Sequence, residues 1–315
     1  MPVGFNANLG SGVILSTPVA AAVAVIGDRW AFMIIRDVYL GIDRFEALRC
    51  STEAARGTLT SRLKALVANG ILSRRAYQSS PIRHEYRLTE KGLDLYPIVL
   101  MLWAWDLRWG GGGNLPSQLI HETCGHSLVP IYRCGTCKQP LNSSNVNWTV
   151  SSNFQRLADV PPRYQRRTKS FSEINSDSAG ECLTALDCIG DRWTSLVLAA
   201  AFFGLRRFDD ITDAIGIATN ILADRLRLLV QAKVLEKVVY QQQPQRYEYR
   251  LTEKGRHFYP YVVALHVWAN RWLIAPGKGA LRLQHASCQA DLQGEVVCSH
   301  CHGILAPQEV TFKFI

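Results

Sequence analysis

Apolar residues recur three and four positions apart along several stretches of this chain, which is the spacing of one face of an α-helix. Between residues 18 and 109 the pattern predicts helices at 18–26, 30–40 and 55–69, a short helix starting at 45–48, and a long helix at 93–109. Two stretches, 71–77 and 83–88, instead read as strands, and the polar residues 78–81 between them form the bend of a hairpin.

Residues with strong capping preferences mark the ends of these elements. Pro18 suits the first position of a helix, and Asp28 and Thr89 can each cap the helix that follows. Asn69 and Gly70 form a helix stop. The order of helix, helix, short helix, helix and hairpin is that of a winged helix-turn-helix, in which one helix enters the major groove of DNA.

The whole pattern occurs twice. Ile-Gly-Asp-Arg-Trp at residues 26–30 returns at 189–193, an offset of 163. The same offset carries Tyr-Arg-Leu-Thr-Glu-Lys-Gly from 86–92 to 249–255, and Trp105 onto Trp268, without a gap. One offset maintained over that span indicates a tandem duplication, so a second unit with the same elements is expected.

Composition narrows the class of protein. A length of 315 residues with 48% hydrophobic residues suggests two domains, each with its own core. The net charge of +9 favours a polyanionic partner such as double-stranded DNA. No apolar run reaches the roughly 18 uncharged residues of a membrane span, and the apolar N-terminal stretch lacks the basic leader of an export signal. We therefore expect no contact with a membrane.

The helix at 55–69 has one face committed to the core and one face available to DNA. Leu59, Leu63 and Leu66 fall on the first face. Polar residues on the other face and in the hairpin are the candidate DNA contacts of unit one: Arg56, Thr58, Thr60, Ser61, Arg62, Lys64 and Arg83. The candidates in unit two are Thr219, Asn220, Arg225, Arg227 and Arg246. For Arg62 and Arg225, a phosphate contact and an internal ion pair remain equally open.

These motifs resemble those of the HxlR-type bacterial winged-helix regulators. The resemblance rests on Ile-Gly-Asp-Arg-Trp, Arg-Phe before the short helix, the run 217–226 and Tyr-Arg-Leu-Thr-Glu-Lys-Gly after the hairpin, and it covers residues 17–109 and 180–272. It implies a sequence-specific regulator, not an enzyme, that dimerises through its first and last helices. Because this chain carries two units, we expect them to pair within one polypeptide, through 93–109 and 258–272, so that the chain can be monomeric.

Many members of that family carry a cysteine, sometimes redox-active, nine residues before Ile-Gly-Asp-Arg-Trp. Here those positions hold Thr17 and Gly180, and Cys182 lies two residues away. Oxidant sensing by that route is therefore not expected. The resemblance also implies a bacterial, cytoplasmic protein associated with the nucleoid.

A second repeated pattern follows each unit. His121, Cys124, Cys134 and Cys137 have the spacing His-x2-Cys-x9-Cys-x2-Cys, and His285, Cys288, Cys298 and Cys301 repeat it. Three thiolates and one imidazole are a ligand set of structural zinc sites. We therefore expect one closed, structural zinc site in each repeat. A reduced thiol cluster without metal, or one that releases zinc on oxidation, is the alternative.

The expected architecture is mainly α with small β-hairpins (α+β), as tandem winged helix-turn-helix domains each followed by a small zinc-ribbon-like module. The expected boundaries are 1–114 for the first winged unit, 115–141 for the first zinc module, 142–178 for a linker, 179–277 for the second winged unit and 278–315 for the second zinc module. The linker contains a basic run, 163–169, interpreted as a solvated segment in preference to an arm that contacts phosphates.

The function favoured by the sequence is a DNA-binding transcriptional regulator that acts as an intramolecular pseudo-dimer on an imperfect inverted repeat. The half-sites should differ because the outward residues of the two units differ. Two alternatives are a zinc- or thiol-based redox-responsive protein and a protein-interaction scaffold with degenerate winged helices. The operator, the regulated genes, any small-molecule effector and the choice between repression and activation are not encoded in these patterns.

Overall fold

The computed structural model describes residues 13–80, 82–110, 118–151 and 184–313. Unit one, within residues 13–110, contains α1 (Pro18–Ile26), α2 (Arg29–Tyr39), α3 (Phe45–Thr52), α4 (Arg56–Ala68), β1 (Leu72–Ser79), β2 (Ile82–Leu88), α5 (Glu90–Leu93) and α6 (Tyr96–Trp109). Four strands follow it: β3 (Gln118–His121), β4 (His126–Leu128), β5 (Pro130–Cys134) and β6 (Val146–Val150).

Unit two, within residues 184–277, repeats the elements of unit one. It contains α7 (Ala185–Ile189), α8 (Arg192–Phe202), α9 (Phe208–Ile215), α10 (Thr219–Gln231), β7 (Leu235–Gln241), β8 (Arg246–Leu251), α11 (Glu253–Arg256) and α12 (Tyr259–Trp272). The chain continues through β9 (Leu281–His285), β10 (Gly294–Cys298) and β11 (Val310–Lys313). The predicted order of helices and hairpins is confirmed in both units.

Capping explains why the second helix of each unit begins where it does. The carboxylate of Asp28 accepts hydrogen bonds from the backbone N–H groups of Trp30 and Ala31, both at 3.1 Å. Asp191 does the same for Trp193 and Thr194, at 2.8 and 3.0 Å. These bonds satisfy N–H groups that have no partner inside the helix.

The long helix predicted at 93–109 is divided in two, which corrects the prediction. Thr89 caps the four-residue α5 by accepting from the backbone N–H of Gly92 at 3.1 Å. The chain then restarts as α6, with Pro97 in its first turn, because proline has no N–H to donate within a helix but fits its start. A side chain at Gly92 would meet the carbonyl oxygen of Ile71 at 2.2 Å, so the close packing of α5 on the hairpin requires glycine.

The first and last helices of the two units pack against one another. α1 contacts α12 and α8, α6 contacts α12, and α7 contacts α6. The ring of Trp105 stacks on Phe258 with centroids 4.4 Å apart. Two equivalent hydrogen bonds cross between the units: Trp105 Nε1 donates to the carbonyl of Lys254, and Trp268 Nε1 donates to that of Lys91, each at 3.0 Å.

The contact between the units is not symmetric in detail. α1 has nine residues, whereas its counterpart α7 has five and begins with a capping box of Thr184 and Asp187. Arg29 of unit one forms an ion pair with Asp187 of unit two. The backbone N–H of Ala185 donates to Asp106 of α6, a residue whose aligned position in unit two is Ala269.

The strands outside the two hairpins pair across the chain, except β4, which pairs with its neighbour β3. β5 pairs with β10, β3 with β11, and β6 with β9, all antiparallel. The two expected zinc modules are therefore interleaved into one strand body, formed by residues 118–151 and 280–313. β6 lies in the stretch expected to be a linker, whereas its basic run at 163–169 lies outside the described residues.

Among the residues that the structure describes, no single helix is long and apolar enough to cross a membrane. α1 and α2, which are bent by 77° relative to each other, together have the length and apolar composition of a membrane span. Most residues of α1 are nevertheless buried in the protein.

A pH dependence of stability follows from Asp106. Burial raises the pKa of this carboxyl to about 7, against about 3.9 for an unfolded chain. Its stabilising contribution is complete below pH 4 and is lost as pH rises through 7. We expect Asp106→Asn, which keeps an acceptor for the N–H of Ala185, to stabilise the protein at pH 8 by on the order of 4 kcal/mol and to change little at acidic pH.

Thermal unfolding of the wild type and the variant at pH 5 and pH 8 measures this difference. Asp224→Asn, at an exposed residue, is the matched control. It should shift the melting temperature by the same amount at pH 5 and at pH 8. An Asp106→Asn protein that tracks the wild type at both pH values would contradict the assignment.

Candidate functional site

The outward face of α4 is largely exposed, whereas its inner face is buried. Leu59, Leu63 and Leu66 are at most 1% exposed and fix the inner face of the helix. On the opposite face, Arg56, Ser61 and Lys64 are exposed, and Thr58 and Thr60 are half-buried. Thr60 Oγ1 donates to the carbonyl of Arg56 at 2.8 Å, so its hydroxyl is engaged within the helix.

The outward face of α10 corresponds in position to that of α4 but carries different side chains. Thr219 and Asn220 are exposed at its first turn, where unit one has Arg56 and Gly57. Further along, Arg227 forms an exposed ion pair with Asp224 at 3.0 Å. We call α4 and α10 the reading helices. That of unit one offers an arginine at its start, and that of unit two offers small polar side chains.

Arg62 and Arg225 form internal ion pairs in the structure, which was one of the two interpretations that the sequence left open. Arg62 Nε lies 3.0 Å from Asp28, and Arg225 Nε lies 2.8 Å from Asp191. The second contact is a close ion pair without the alignment of a hydrogen bond, since Arg225 Nε has no hydrogen-bond partner. Burial raises the pKa of Asp28, and Arg62 opposes that shift. Both arginines therefore tie a reading helix to the cap of the second helix of its own unit.

Basic side chains lie on the hairpins and beside them, and the sequence predicted only some of these residues. The predicted Arg83 and Arg246 are exposed. In addition, Arg44 lies over the ring of Tyr77, and Arg207 lies over Tyr240, each with 4.5 Å from the guanidinium to the ring centroid. The two pairs occupy aligned positions. Their repetition at the offset of 163 was visible in the sequence, but the approach of residues 33 apart was not.

The eight predicted metal ligands form two clusters, but not the two expected. The first cluster is His121, Cys124, Cys298 and Cys301, and the second is Cys134, Cys137, His285 and Cys288. Each takes one His-x2-Cys pair and one Cys-x2-Cys pair from opposite segments, so the expectation of one self-contained site per repeat is wrong. The reason is the strand pairing, since β5 lies against β10 of the other segment.

The ligand atoms have distances that suit a tetrahedral ion. Cys124 and Cys298 sulfurs are 4.0 Å apart, and those of Cys134 and Cys288 are 3.8 Å apart. The Nδ1 atom of His121 lies 3.2 Å from the sulfur of Cys301, and that of His285 lies 3.1 Å from the sulfur of Cys137. Zinc–sulfur bonds of about 2.3 Å at tetrahedral angles require sulfurs about 3.8 Å apart. The donor sets therefore fit a zinc-sized ion.

The backbone around the ligands supports thiolates. Each two-ligand turn is followed by a residue with a left-handed backbone: Gly125, Lys138, Gln289 and His302 have φ of 71°, 62°, 56° and 58°. This turn directs backbone N–H groups at sulfur, as from His300 to Cys298 at 3.3 Å. The N–H of Gly303 bonds to Cys301 and lowers the pKa of its thiol, because such a bond favours the charged form.

A third group of ring nitrogens and sulfur lies beside the first cluster. His126 and His300 stack with ring centroids 3.6 Å apart, and both approach Cys124. Neither histidine has a counterpart at the second cluster, where the described residues contribute only the four ligands. The two clusters thus have the same donor set and different surroundings.

The sequence matches the HxlR-like helix-turn-helix family at residues 25–112 and 188–276. The two matches span 88 and 89 residues, together more than half of the 315-residue chain. The chain belongs to the HxlR family. It carries the family's helix-turn-helix unit twice, in agreement with the tandem duplication.

Relatives of the chain are named as transcriptional regulators. An uncharacterized HTH-type transcriptional regulator of Mycobacterium tuberculosis is 36% identical over 143 residues, which are 45% of this chain and 90% of the relative. YodB, an HTH-type transcriptional regulator of Bacillus subtilis, is 32% identical over 90 residues, or 28% of this chain and 80% of YodB. The solved reduced form of YodB is 32% identical, covers 28% of this chain and 88% of its own, and superposes with a TM-score of 0.26. The chain is therefore an HxlR-family transcriptional regulator.

The inward ion pair of Arg225 leads to a prediction about stability. Arg225→Ala leaves the carboxylate of Asp191, 13% exposed, without its cation. We expect a loss of about 1–3 kcal/mol in the free energy of unfolding. Arg227→Ala, two positions along the same helix and 66% exposed, is the matched control and should cost less than about 0.5 kcal/mol.

Thermal or urea unfolding of the two variants provides the measurement. Equal and small losses in both would mean that Arg225 is not tied to the cap of α8, and its side chain would again be a candidate for contact with phosphate.

Proposed function

We propose that the two units of this chain act as an intramolecular pseudo-dimer on an imperfect inverted repeat in double-stranded DNA. The observation that carries the proposal is the exposure of the outer faces of both reading helices while α1, α6 and α12 pack the units together. A helix held by its inner face and exposed on its outer face suits entry into a major groove. The exposed hairpin arginines Arg83 and Arg246 are suited to the flanking phosphates.

The two half-sites are expected to differ. The reading helix of unit one begins with Arg56, whose guanidinium can pair with the O6 and N7 atoms of guanine. Its present partner, Glu46, is 56% exposed and 2.6 Å away, and a surface pair of this kind is weak enough to exchange for DNA. Thr219 at the aligned position offers only a hydroxyl. Since both units belong to one polypeptide, a single chain supplies both half-site contacts.

We also propose that both clusters hold zinc in structural roles. All four ligands of each ion come from the protein, which leaves no open position for a substrate. Arg133 and Lys138 both pair with Glu295, at 2.7 and 2.9 Å, and this bridge joins the two segments beside the second cluster. The surrounding structure therefore supports a fixed, closed site.

The redox-responsive alternative rests on the six clustered cysteines. Against it, the position where many family members carry a cysteine is Thr17 here, a fully buried residue that caps α1. Gly180 and Cys182 lie outside the described residues. The scaffold alternative is favoured by Asp224 on the reading helix of unit two.

Arg56→Ala tests the pseudo-dimer. We expect the variant to lose about 1–3 kcal/mol of affinity, or roughly 5- to 150-fold, on one half-site and little on the other. Footprinting on DNA selected from a random pool by the wild type measures both arms. Arg282→Ala removes an equal charge from an exposed residue of β9, outside the reading helices and outside the contact between α1, α6 and α12, and is the matched control.

Equal losses on both arms would argue against distinct half-sites. Wild-type affinity should also fall steeply between 50 and 200 mM salt, since phosphate contacts release counterions. An affinity that does not respond to salt would favour the scaffold alternative.

A further inference from the structure

We propose that the two zinc ions lock the two halves of the chain together, each ion binding one pair of ligands from residues 118–137 and one pair from residues 285–301. Metal occupancy then determines how the two reading helices are held relative to each other. This inference rests on the proposed function for its consequence on DNA, whereas the pairing of ligands can be measured without DNA.

The ligand distances carry the first step. Cys124 lies 4.0 Å from Cys298, and Cys134 lies 3.8 Å from Cys288, measured between sulfurs. These contacts join residues 174 and 154 positions apart in the chain. An ion bound between such sulfurs would cross-link two distant segments of the chain and would not close a single short loop.

The strand register excludes the local arrangement. In the β5–β10 ladder, Cys134 is opposite Gly294 at one end, and Cys298 is opposite Pro130 at the other. Four residues of strand separate these ends by roughly 13 Å. Cys124 lies beside Cys298, at the end of the ladder opposite to Cys134. Cys124 and Cys134 are therefore too far apart to share one ion. Each repeat on its own therefore cannot complete a site in this fold.

The strand body transmits this link to the DNA-binding units. β5 contacts α6, and β10 contacts α12. These are the last helices of the two units, and they also contact each other. Loss of the ions weakens the strand body as a connection between the units and leaves the helix packing of α1, α6 and α12 as the other connection. We therefore expect looser coupling of the reading helices without unfolding of either winged unit.

Zinc content of paired cysteine variants tests the arrangement. The wild type should bind two zinc ions per chain, measured by elemental analysis after gel filtration. Cys124→Ser/Cys298→Ser removes two ligands from one cluster and should retain one ion. Cys124→Ser/Cys134→Ser removes one ligand from each cluster and should retain neither ion against a competing chelator such as EDTA.

Self-contained repeats predict the reverse, namely one ion in Cys124→Ser/Cys134→Ser and none in Cys124→Ser/Cys298→Ser, and that result would overturn the proposal. Cys50→Ser, at an exposed cysteine outside both clusters, should retain two ions. If the variant with both clusters damaged does not fold, Cys124→Ser/Cys298→Ser decides alone, because one intact cluster remains. Retention of one zinc ion by this variant supports the proposed arrangement, and loss of both ions contradicts it.

The consequence for DNA is measured with the zinc-loaded and chelated wild type. On DNA carrying both half-sites, we expect chelation to weaken binding at least tenfold. On DNA carrying one half-site, binding should change less than twofold. Equal losses on both probes would show that zinc does not couple the units. Absence of binding by the zinc-loaded protein would instead contradict the proposed function, while the zinc counts would still report on the interlock.

Discussion

The burial of apolar helix faces between the two units is the interaction on which the rest of the structure depends. α1 is apolar in all nine positions and would be unstable in water, so it must be covered by α12 and α8. The stacked rings of Trp105 and Phe258 extend the same contact. The two crossing hydrogen bonds of Trp105 and Trp268 satisfy indole N–H groups at that contact and fix the orientation of the rings.

Joining both units in one chain allows the copies to differ. In a dimer of identical subunits, every substitution appears twice, and an isologous interface contacts itself. Here Asp106 in unit one faces the start of α7, while the aligned Ala269 has no carboxyl to bury. Arg56 and Thr219 likewise give the reading helices different chemistry. The asymmetry of the contact between the units and that of the proposed half-sites both arise because the two copies carry different residues at aligned positions.

The strand body adds a second connection between the units, of a different physical kind. Helix packing depends on apolar area and tolerates small movements, whereas metal ligands need their atoms within a few tenths of an ångström. The interleaved strands supply that precision because β5, β3 and β6 each pair with a strand from the other end of the chain. The eight residues of the proposed zinc sites lie at this connection.

Much of the structure of this protein could be predicted from the sequence alone. The duplication, the caps at Asp28 and Thr89, the buried leucines of α4 and the two hairpins follow from local spacing and residue preferences, which act over a few residues. The eight Cys and His residues of the proposed zinc sites were also identifiable, because each pair of them lies within one local turn. The tertiary structure decided what depends on contacts between distant residues: that Arg62 and Arg225 turn inward to Asp28 and Asp191, that Arg44 and Arg207 cover hairpin tyrosines, and that each metal cluster draws on both ends of the chain. Spacing along a sequence cannot distinguish a site formed within one segment from a site shared between two segments with the same ligand spacing. Both arrangements present the same residues at the same intervals. Only the strand register distinguishes them.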